Sequence, residues 1–201
     1  MVEPPSLVLQ TNLFDAAEPA VDSAFASLVR HPLDEQSWVD HVPGWLRGAD
    51  RVFTDLVETA PWAQRERRLY DKKLLDPRLT ALYGVDLPRL LREICGALSA
   101  RYGAEFDSVL LNLYRDGRDS VAWHGDRIAR TVREPNVATI TLGSRRRFLL
   151  RPKGGGRSRR LDPGPGDLIV MGGASQTAWE HTVPKVASAG PRISITVRHS
   201  R

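Results

Sequence analysis

The sequence predicts an α+β domain whose β portion is a sandwich or jelly roll backed by N-terminal helices. Three observations carry this. A helix-like first half gives way after residue 105 to short runs rich in Val, Ile, Leu and Thr; Gly and Pro clusters separate the runs; and their length and even spacing suit strands. With 41% hydrophobic and 26% charged residues over 201 positions, the composition is that of an ordinary globular protein, long enough for one substantial core but short for two.

In chain order, Leu7 to Leu9 reads as a short strand, Val21 to Arg30 as a helix and Ala49 to Glu58 as a second helix. Asp86-Leu87-Pro88 opens an amphipathic helix, with Asp86 as N-cap, Leu87, Leu90, Leu91, Ile94 and Leu98 as its apolar stripe and Gly103 as its stop. Strands are expected at 108–114, 137–142, 147–151, 167–171, 176–183 and 192–198, with Lys153-Gly154-Gly155-Gly156-Arg157-Ser158 as a hairpin tip.

Several classes are disfavoured. No segment approaches the ~20 apolar residues of a membrane span, and the start has no basic-then-apolar leader, so a cytoplasmic protein is expected. The single Cys95 excludes an internal disulfide framework and, between Ile94 and Leu98, reads as a core residue. The formal net charge of +5 is concentrated. Arg145, Arg146, Arg147, Arg151, Lys153, Arg157, Arg159 and Arg160 form one cluster without an acidic residue, and Arg65, Arg67, Arg68, Lys72 and Lys73 form another. Such patches suit a phosphate backbone.

A sparse set of polar residues carries the chemistry. His124 and Asp126 are two apart and share one side of an extended segment, and His181 follows after enough chain for several strands to return. Two imidazoles and a carboxylate occupy three facial positions of an octahedral metal and leave three open, the arrangement of non-haem Fe(II) oxygenases. H-x-D alone is a frequent chance pattern. In the last strand Arg192, Ser194, Thr196 and Arg198 share one face and Ile193, Ile195 and Val197 the other, so the polar face either meets water or lines a barrel interior. Asn112 and Tyr114 are a further same-face pair, able to hydrogen-bond a small acid.

N-x-Y, H-x-D, a distal His and R-x-S-x-T-x-R thus occur in order. Together with Pro61-Trp62-Ala63-Gln64-Arg65, Pro77-Arg78-Leu79-Thr80-Ala81-Leu82-Tyr83-Gly84, Gly166-Asp167-Leu168-Ile169-Val170-Met171 and Gln176-Thr177-Ala178-Trp179-Glu180-His181-Thr182-Val183-Pro184, they resemble the AlkB family of Fe(II)- and 2-oxoglutarate-dependent dioxygenases. The resemblance runs from about residue 55 to the C-terminus and is strongest to the members that repair DNA.

The resemblance implies a double-stranded β-helix over about 86–201, preceded over about 1–85 by an extension and a nucleotide-binding lid, all within one domain. It assigns His124, Asp126 and His181 to iron, Arg192 to the distal carboxylate of 2-oxoglutarate, Asn112, Tyr114 and Ser194 to hydrogen bonds with that co-substrate, and Arg198 to a place near Asp126 and the target base. Trp62, Arg78 and Tyr83 fall in the blocks that contact the nucleotide; Trp179 reads as core. The implied reaction is oxidative demethylation of bases such as 1-methyladenine and 3-methylcytosine. It converts 2-oxoglutarate and O2 to succinate and CO2 and releases formaldehyde.

Two departures stand out. Arg127-Ile128-Ala129-Arg130 replaces the further acidic residue that many relatives carry after the metal aspartate, and Ser194 stands where the family often has Asn. No aromatic finger for prying open a duplex is visible around Glu58-Thr59-Ala60-Pro61, which points to single-stranded DNA or RNA; the expected partner is alkylated single-stranded DNA, with duplex DNA or RNA as alternatives, and a monomer is expected. Competing readings are a related dioxygenase acting on tRNA, other RNA or a protein, and a non-catalytic nucleic-acid-binding jelly roll.

Overall fold

The computed structural model describes residues 7, 17–69, 72–84, 86–126 and 135–199, with the side chains at 67–69 and 72–74 excepted. The first half holds β1 (Ala20–Val21), β2 (Val29–Pro32), β3 (Ser37–Val42), β4 (Leu46–Arg47), α1 (Ala49–Thr59), β5 (Glu66–Leu69), β6 (Lys72–Leu75), β7 (Leu79–Tyr83) and α2 (Arg89–Tyr102). After it come β8 (Ser108–Tyr114), β9 (Val121–His124), β10 (Val137–Gly143), β11 (Phe148–Pro152), β12 (Arg159–Leu161), β13 (Leu168–Gly173), α3 (Ser175–Ala178), β14 (Trp179–Val183) and β15 (Arg192–Arg198).

Among the described residues, a major sheet of seven strands in the order β2-β3-β13-β10-β15-β8-β7 faces a minor sheet of four, β12-β11-β14-β9, and all ladders are antiparallel. This is the jelly roll. Its interior is filled from both sheets by Val39, Tyr114, Val137, Phe148, Leu150, Ile169, Met171 and Val183. The outer face of the major sheet presents Ile140, Ile193, Ile195 and Val197 to the apolar sides of both helices, Val52, Phe53 and Leu56 of α1 and Leu91, Ile94 and Leu98 of α2. Each such side chain, fully withdrawn from water, contributes about 1.5–3 kcal/mol, so the sheet is clamped flat against the helices.

The expected boundary near residue 85 does not divide the architecture, because β2, β3 and β7 lie in the same sheet as β8 and β15. Among the described residues, two small two-stranded sheets, β1–β4 and the β5–β6 hairpin, are separate from the two sheets of the sandwich. The expected helix over Val21 to Arg30 is absent. Val21 pairs with Leu46, and the Asp22 carboxylate accepts the backbone N–H of Ala24 and Ala26 at 3.0 and 2.8 Å, offering those donors a turn instead of a helix. Phe25 then sits at φ 52°, a left-handed conformation unusual for a side-chain-bearing residue, and its ring is held 5.5 Å from Trp45.

The helix expected from Asp86 begins at Arg89 with Pro88 at its N-cap, and ends where Gly103 turns left-handed at φ 63°. In the segment expected as a strand over 176–183, residues 175–178 form one helical turn, stapled by the Thr177 hydroxyl donating to the Ala174 carbonyl at 2.9 Å. The strand starts only at Trp179. Lys153 to Ser158 do form the hairpin tip between β11 and β12. Of the strand expected over Leu7 to Leu9, only Leu7 is described, packed against the helix-side core.

Candidate metal centre and co-substrate pocket

Strand register brings the three expected metal ligands together. His181 on β14 lies directly opposite His124 on β9, with ring centroids 4.4 Å apart. The register slips between this pair and Val183–Val121, and the slip lets Val121 and His124, three residues apart, both line the same cavity. Asp126 follows just past the strand end, and one ligand atom from each of the three residues falls within 4.8 Å of the others.

His124 Nδ1 is 2.8 Å from the Ala122 carbonyl, which can only accept, so Nδ1–H donates there and Nε2 is the nitrogen left for a metal. Burial pushes the His181 imidazole down to about 4, against the smaller opposing pull of Asp126. Phe148 stacks on that ring at 5.2 Å. Asp126 is gripped from two directions: Arg198 Nη1 stands 3.5 Å from Oδ1, and the Asp126 backbone N–H donates to Gln176 Oε1 at 3.2 Å.

Behind the triad, the inner face of the major sheet forms three cross-strand rows, the two deeper ones polar. Across β15–β8 the deepest pairs Arg192 with Tyr114; the next runs Thr141, Ser194, Asn112 and Thr80; the outermost runs Thr139, Thr196, Leu110 and Leu82. Arg192 is 1% exposed; its Nη2 donates to Thr141 Oγ1 at 3.0 Å, while Nε and Nη1 have no partner. Two unmet donors on a buried guanidinium cost far more than an ordinary gap. They leave the guanidinium with donors to spare for an anion such as a carboxylate. Asn112 Nδ2 donates to Ser194 Oγ at 3.4 Å, and its Oδ1 accepts from Arg78 Nε at 2.9 Å.

A matching family model, that of the 2OG-Fe(II) oxygenase superfamily, covers residues 22–198. Similar proteins include the alpha-ketoglutarate-dependent dioxygenase alkB homolog 3 of Bos taurus, 34% identical over 78% of this chain and 64% of its own length. The DNA oxidative demethylase ALKBH2 of Mus musculus is 31% identical over 75% of this chain and 74% of its own. The chain belongs to the AlkB family of 2-oxoglutarate–Fe(II) oxygenases. This AlkB-family chain spans less than two thirds of the length of the alkB homolog 3 relatives it matches. The solved structure of OsALKBH1 superposes with a TM-score of 0.60 at 14% identity, covering 85% of this chain and 100% of that one, which shows the shared fold.

The residues fit what the family name implies. The donor set is two imidazoles and one carboxylate, and the buried, unmet N–H groups of Arg192, which lines the same cavity, ask for an anion. His124, Asp126 and His181 would hold Fe(II); Arg192, Asn112, Tyr114 and Ser194 line the same cavity. Arg198 sits at its mouth, in a second, outer cleft of about 450 Å³ shared with Arg65, Glu66, Asp76, Arg78 and Leu110.

The expected nucleotide contacts fare differently. Trp62 is 2% exposed and lies in the helix-side core, its indole N–H donating to the Leu56 and Val57 carbonyls at 3.1 and 3.2 Å, so it anchors the end of α1 and presents no ring to a base. Tyr83 also packs toward the helices, because it alternates with Leu82, and it is Leu82 that registers with Leu110 on the cleft face. Leu82 is 56% exposed. Arg78 does reach the site, lining both cavity and cleft. Trp179 is buried as expected, with its indole N–H on Asp34 Oδ2 at 2.5 Å.

The basic run at 145–160 is largely committed. Arg146 is buried on backbone carbonyls, Arg151 pairs with Glu180 at 2.6 Å and covers the Trp123 ring at 4.0 Å, and Arg160 pairs with Asp162 at 2.7 Å. The side chains of Arg67, Arg68, Lys72 and Lys73, and all of Arg127 to Arg130, lie outside the described residues. Thr139, Thr141, Phe148 and Gln176 join the site without having been singled out from the sequence. Alternation in Val137-Ala138-Thr139-Ile140-Thr141-Leu142 was the available signal for the two threonines; Gln176 had none.

Proposed function

We propose that this chain is an oxidative demethylase of N-alkylated nucleic-acid bases, acting in DNA alkylation repair on lesions such as 1-methyladenine and 3-methylcytosine in single strands. The observation that carries the reading is the meeting, in one cavity, of a His-Asp-His ligand set with a buried arginine, Arg192, two of whose guanidinium nitrogens lack acceptors. The names of the relatives, dioxygenase and DNA oxidative demethylase, support it.

Bound Fe(II) and 2-oxoglutarate would supply the oxidising chemistry, consuming O2, yielding succinate and CO2, and oxidising the N-methyl carbon that leaves as formaldehyde. The chain supplies placement. Arg192 would take the distal carboxylate at the closed end, and Asn112, Tyr114 and Ser194 would hydrogen-bond the same molecule along its length. Arg198 holds the Asp126 carboxylate in register at the cavity mouth, where the target base would enter.

Leu82 and Leu110 offer that base an apolar flank, and exposed Arg65 offers the adjoining phosphate a charge. A base must leave its stack to reach this depth, which costs roughly a few kcal/mol and least in an unpaired strand. Glu58 to Trp62 expose no aromatic side chain that could wedge a duplex apart, which favours single strands. We read the protein as a cytoplasmic monomer, in keeping with its buried, unpaired Cys95 and the lack, among the described residues, of any helix long and apolar enough to cross a membrane.

The test is anaerobic reconstitution with Fe(II) and 2-oxoglutarate, admission of O2, and mass spectrometry of methylated single-stranded DNA, duplex DNA and RNA. Conversion of single-stranded DNA ahead of the others is expected. Turnover of RNA alone would overturn the DNA-repair reading.

A further inference from the structure

Two buried guanidinium groups lie near the ring of Tyr114, a residue lining the cavity, and the function proposed above uses only one. Arg192 enters from the start of β15. Arg146, 3% exposed, comes from the β10–β11 connection, and the two Cζ atoms lie 5.2 and 5.8 Å from the same Tyr114 ring. Arg146 Nη1 donates to the Asp116 carbonyl at 3.0 Å, and Nη2 to the Asp119 and Pro184 carbonyls at 3.0 and 2.7 Å. Neutral carbonyls satisfy those protons but leave the charge in place. The Asp119 carboxylate is already engaged by Arg115 Nε and Nη2, at 2.8 and 2.9 Å. Arg146 Nε, like Arg192 Nε and Nη1, has no partner.

Two neighbouring buried cations oppose each other and the fold unless an anion shares their space. Burial draws both guanidiniums below the ordinary arginine range, against the smaller opposing pull of Tyr114 on both and of Asp119 and Asp116 on Arg146, and the charge of Arg146 adds to the lowering at Arg192. Arginine nevertheless stays charged in proteins. The pair is therefore a positive potential around Tyr114, with Arg192 lining the cavity and Arg146 behind its lining.

We propose that Arg146 is a specificity-determining residue for the co-substrate, acting through its field and not by contact: with Arg192 it makes the cavity select a 2-oxo acid that carries a second, distal carboxylate. The inference rests on the reading that this cavity takes 2-oxoglutarate. At a separation of several ångströms and the effective dielectric of a protein interior, one such charge is worth on the order of tenfold in affinity for a carboxylate.

The test compares 2-oxoglutarate with 2-oxobutyrate, which has the same metal-chelating end and no distal carboxylate. Each is titrated anaerobically into the Fe(II) protein and read by its metal-to-ligand charge-transfer absorption, so no turnover is needed. The ratio of the two affinities within one protein is the readout, because loss of folded protein affects both titrations alike. In R146Q the preference for 2-oxoglutarate should fall about tenfold with 2-oxobutyrate unmoved. R146K cannot reproduce the three-carbonyl fork but keeps the charge, and should retain most of the preference. An unchanged ratio in R146Q, or an equal loss in R146K, would overturn the proposal and leave Arg146 as a structural clamp. Should R146Q not fold, R146K decides, a retained ratio supporting the field and a collapsed one overturning it. Wild-type protein that binds no 2-oxoglutarate at all would instead overturn the functional reading, and the inference with it.

Discussion

At the scale of single residues, the site depends on buried groups whose partners are incomplete until a ligand arrives. Arg192 has the most at stake. Replacing it with Met should weaken 2-oxoglutarate binding on the order of 100-fold, as expected for losing charge-assisted bonds worth about 3 kcal/mol, measurable by calorimetry on the metal-loaded protein under anaerobic conditions. H124A should lose Fe(II) affinity while keeping most of its salt-sensitive DNA binding, since that binding uses charges elsewhere; unchanged metal affinity would sink the ligand assignment. Asp167 serves the scaffold instead. Burial pushes its carboxyl up, but hydrogen bonds from His41 and the Gly164 and Gly44 backbone outweigh this and hold it below the usual carboxylate range. A lowered folded value stabilises the protein above the unfolded value of about 4, and the stabilisation disappears as pH falls through the folded value. D167N should therefore melt earlier than wild type at pH 7, with the gap closing in acid.

At the scale of elements, much of this was legible where a strand shows clean alternation. In β15 the period of two separates Arg192, Ser194, Thr196 and Arg198 from Ile193, Ile195 and Val197, and the two sets do face cavity and helices. The same alternation, applied to Leu79 to Tyr83, puts Leu82 on the same side of the sheet as Leu110 and Tyr83 on the helix side, whereas family position points to the aromatic. Trp62 misleads for another reason: beside a Pro in a loop-like segment, no periodicity shows which way it points. Trp62→Ala should cost about 3–5 kcal/mol of stability, as truncation of a core aromatic does, whereas Leu82→Ser should leave the melting point within a degree or two and weaken substrate binding. The region from Val21 to Arg30 was opaque because its outcome is decided by the Asp22 side chain capturing two backbone donors, a local competition that hydrophobic pattern does not register. α2 was readable from its stripe, and its buried Cys95, whose thiol burial raises to about 11, should resist alkylation at pH 8 until the protein unfolds.

At the scale of the whole molecule, two sheets bring ligands from distant parts of the chain to one point, and the helices on the outer face keep the major sheet from yielding. Within the basic run from 145 to 160, the count of charges overstates what is free for a phosphate backbone. Much of the basic run from 145 to 160 is spent on carbonyls, carboxylates and an indole ring, so fewer phosphates are neutralised than the count of arginines suggests. Arg65→Ser should lower the salt dependence of single-stranded DNA binding by about one in slope, and Arg151→Met should leave it unchanged. The central claim is that the His-Asp-His set and the Arg192 pocket form one oxidative demethylation centre. It is tested most directly by incubating the Fe(II)-loaded protein with 2-oxoglutarate, O2 and a single-stranded oligonucleotide bearing one 1-methyladenine, and following methylated and repaired strands together with succinate. The account predicts loss of the methyl group with one succinate formed per repaired base, abolished in H124A. Succinate formation without any demethylation, or demethylation undiminished in H124A, would contradict it.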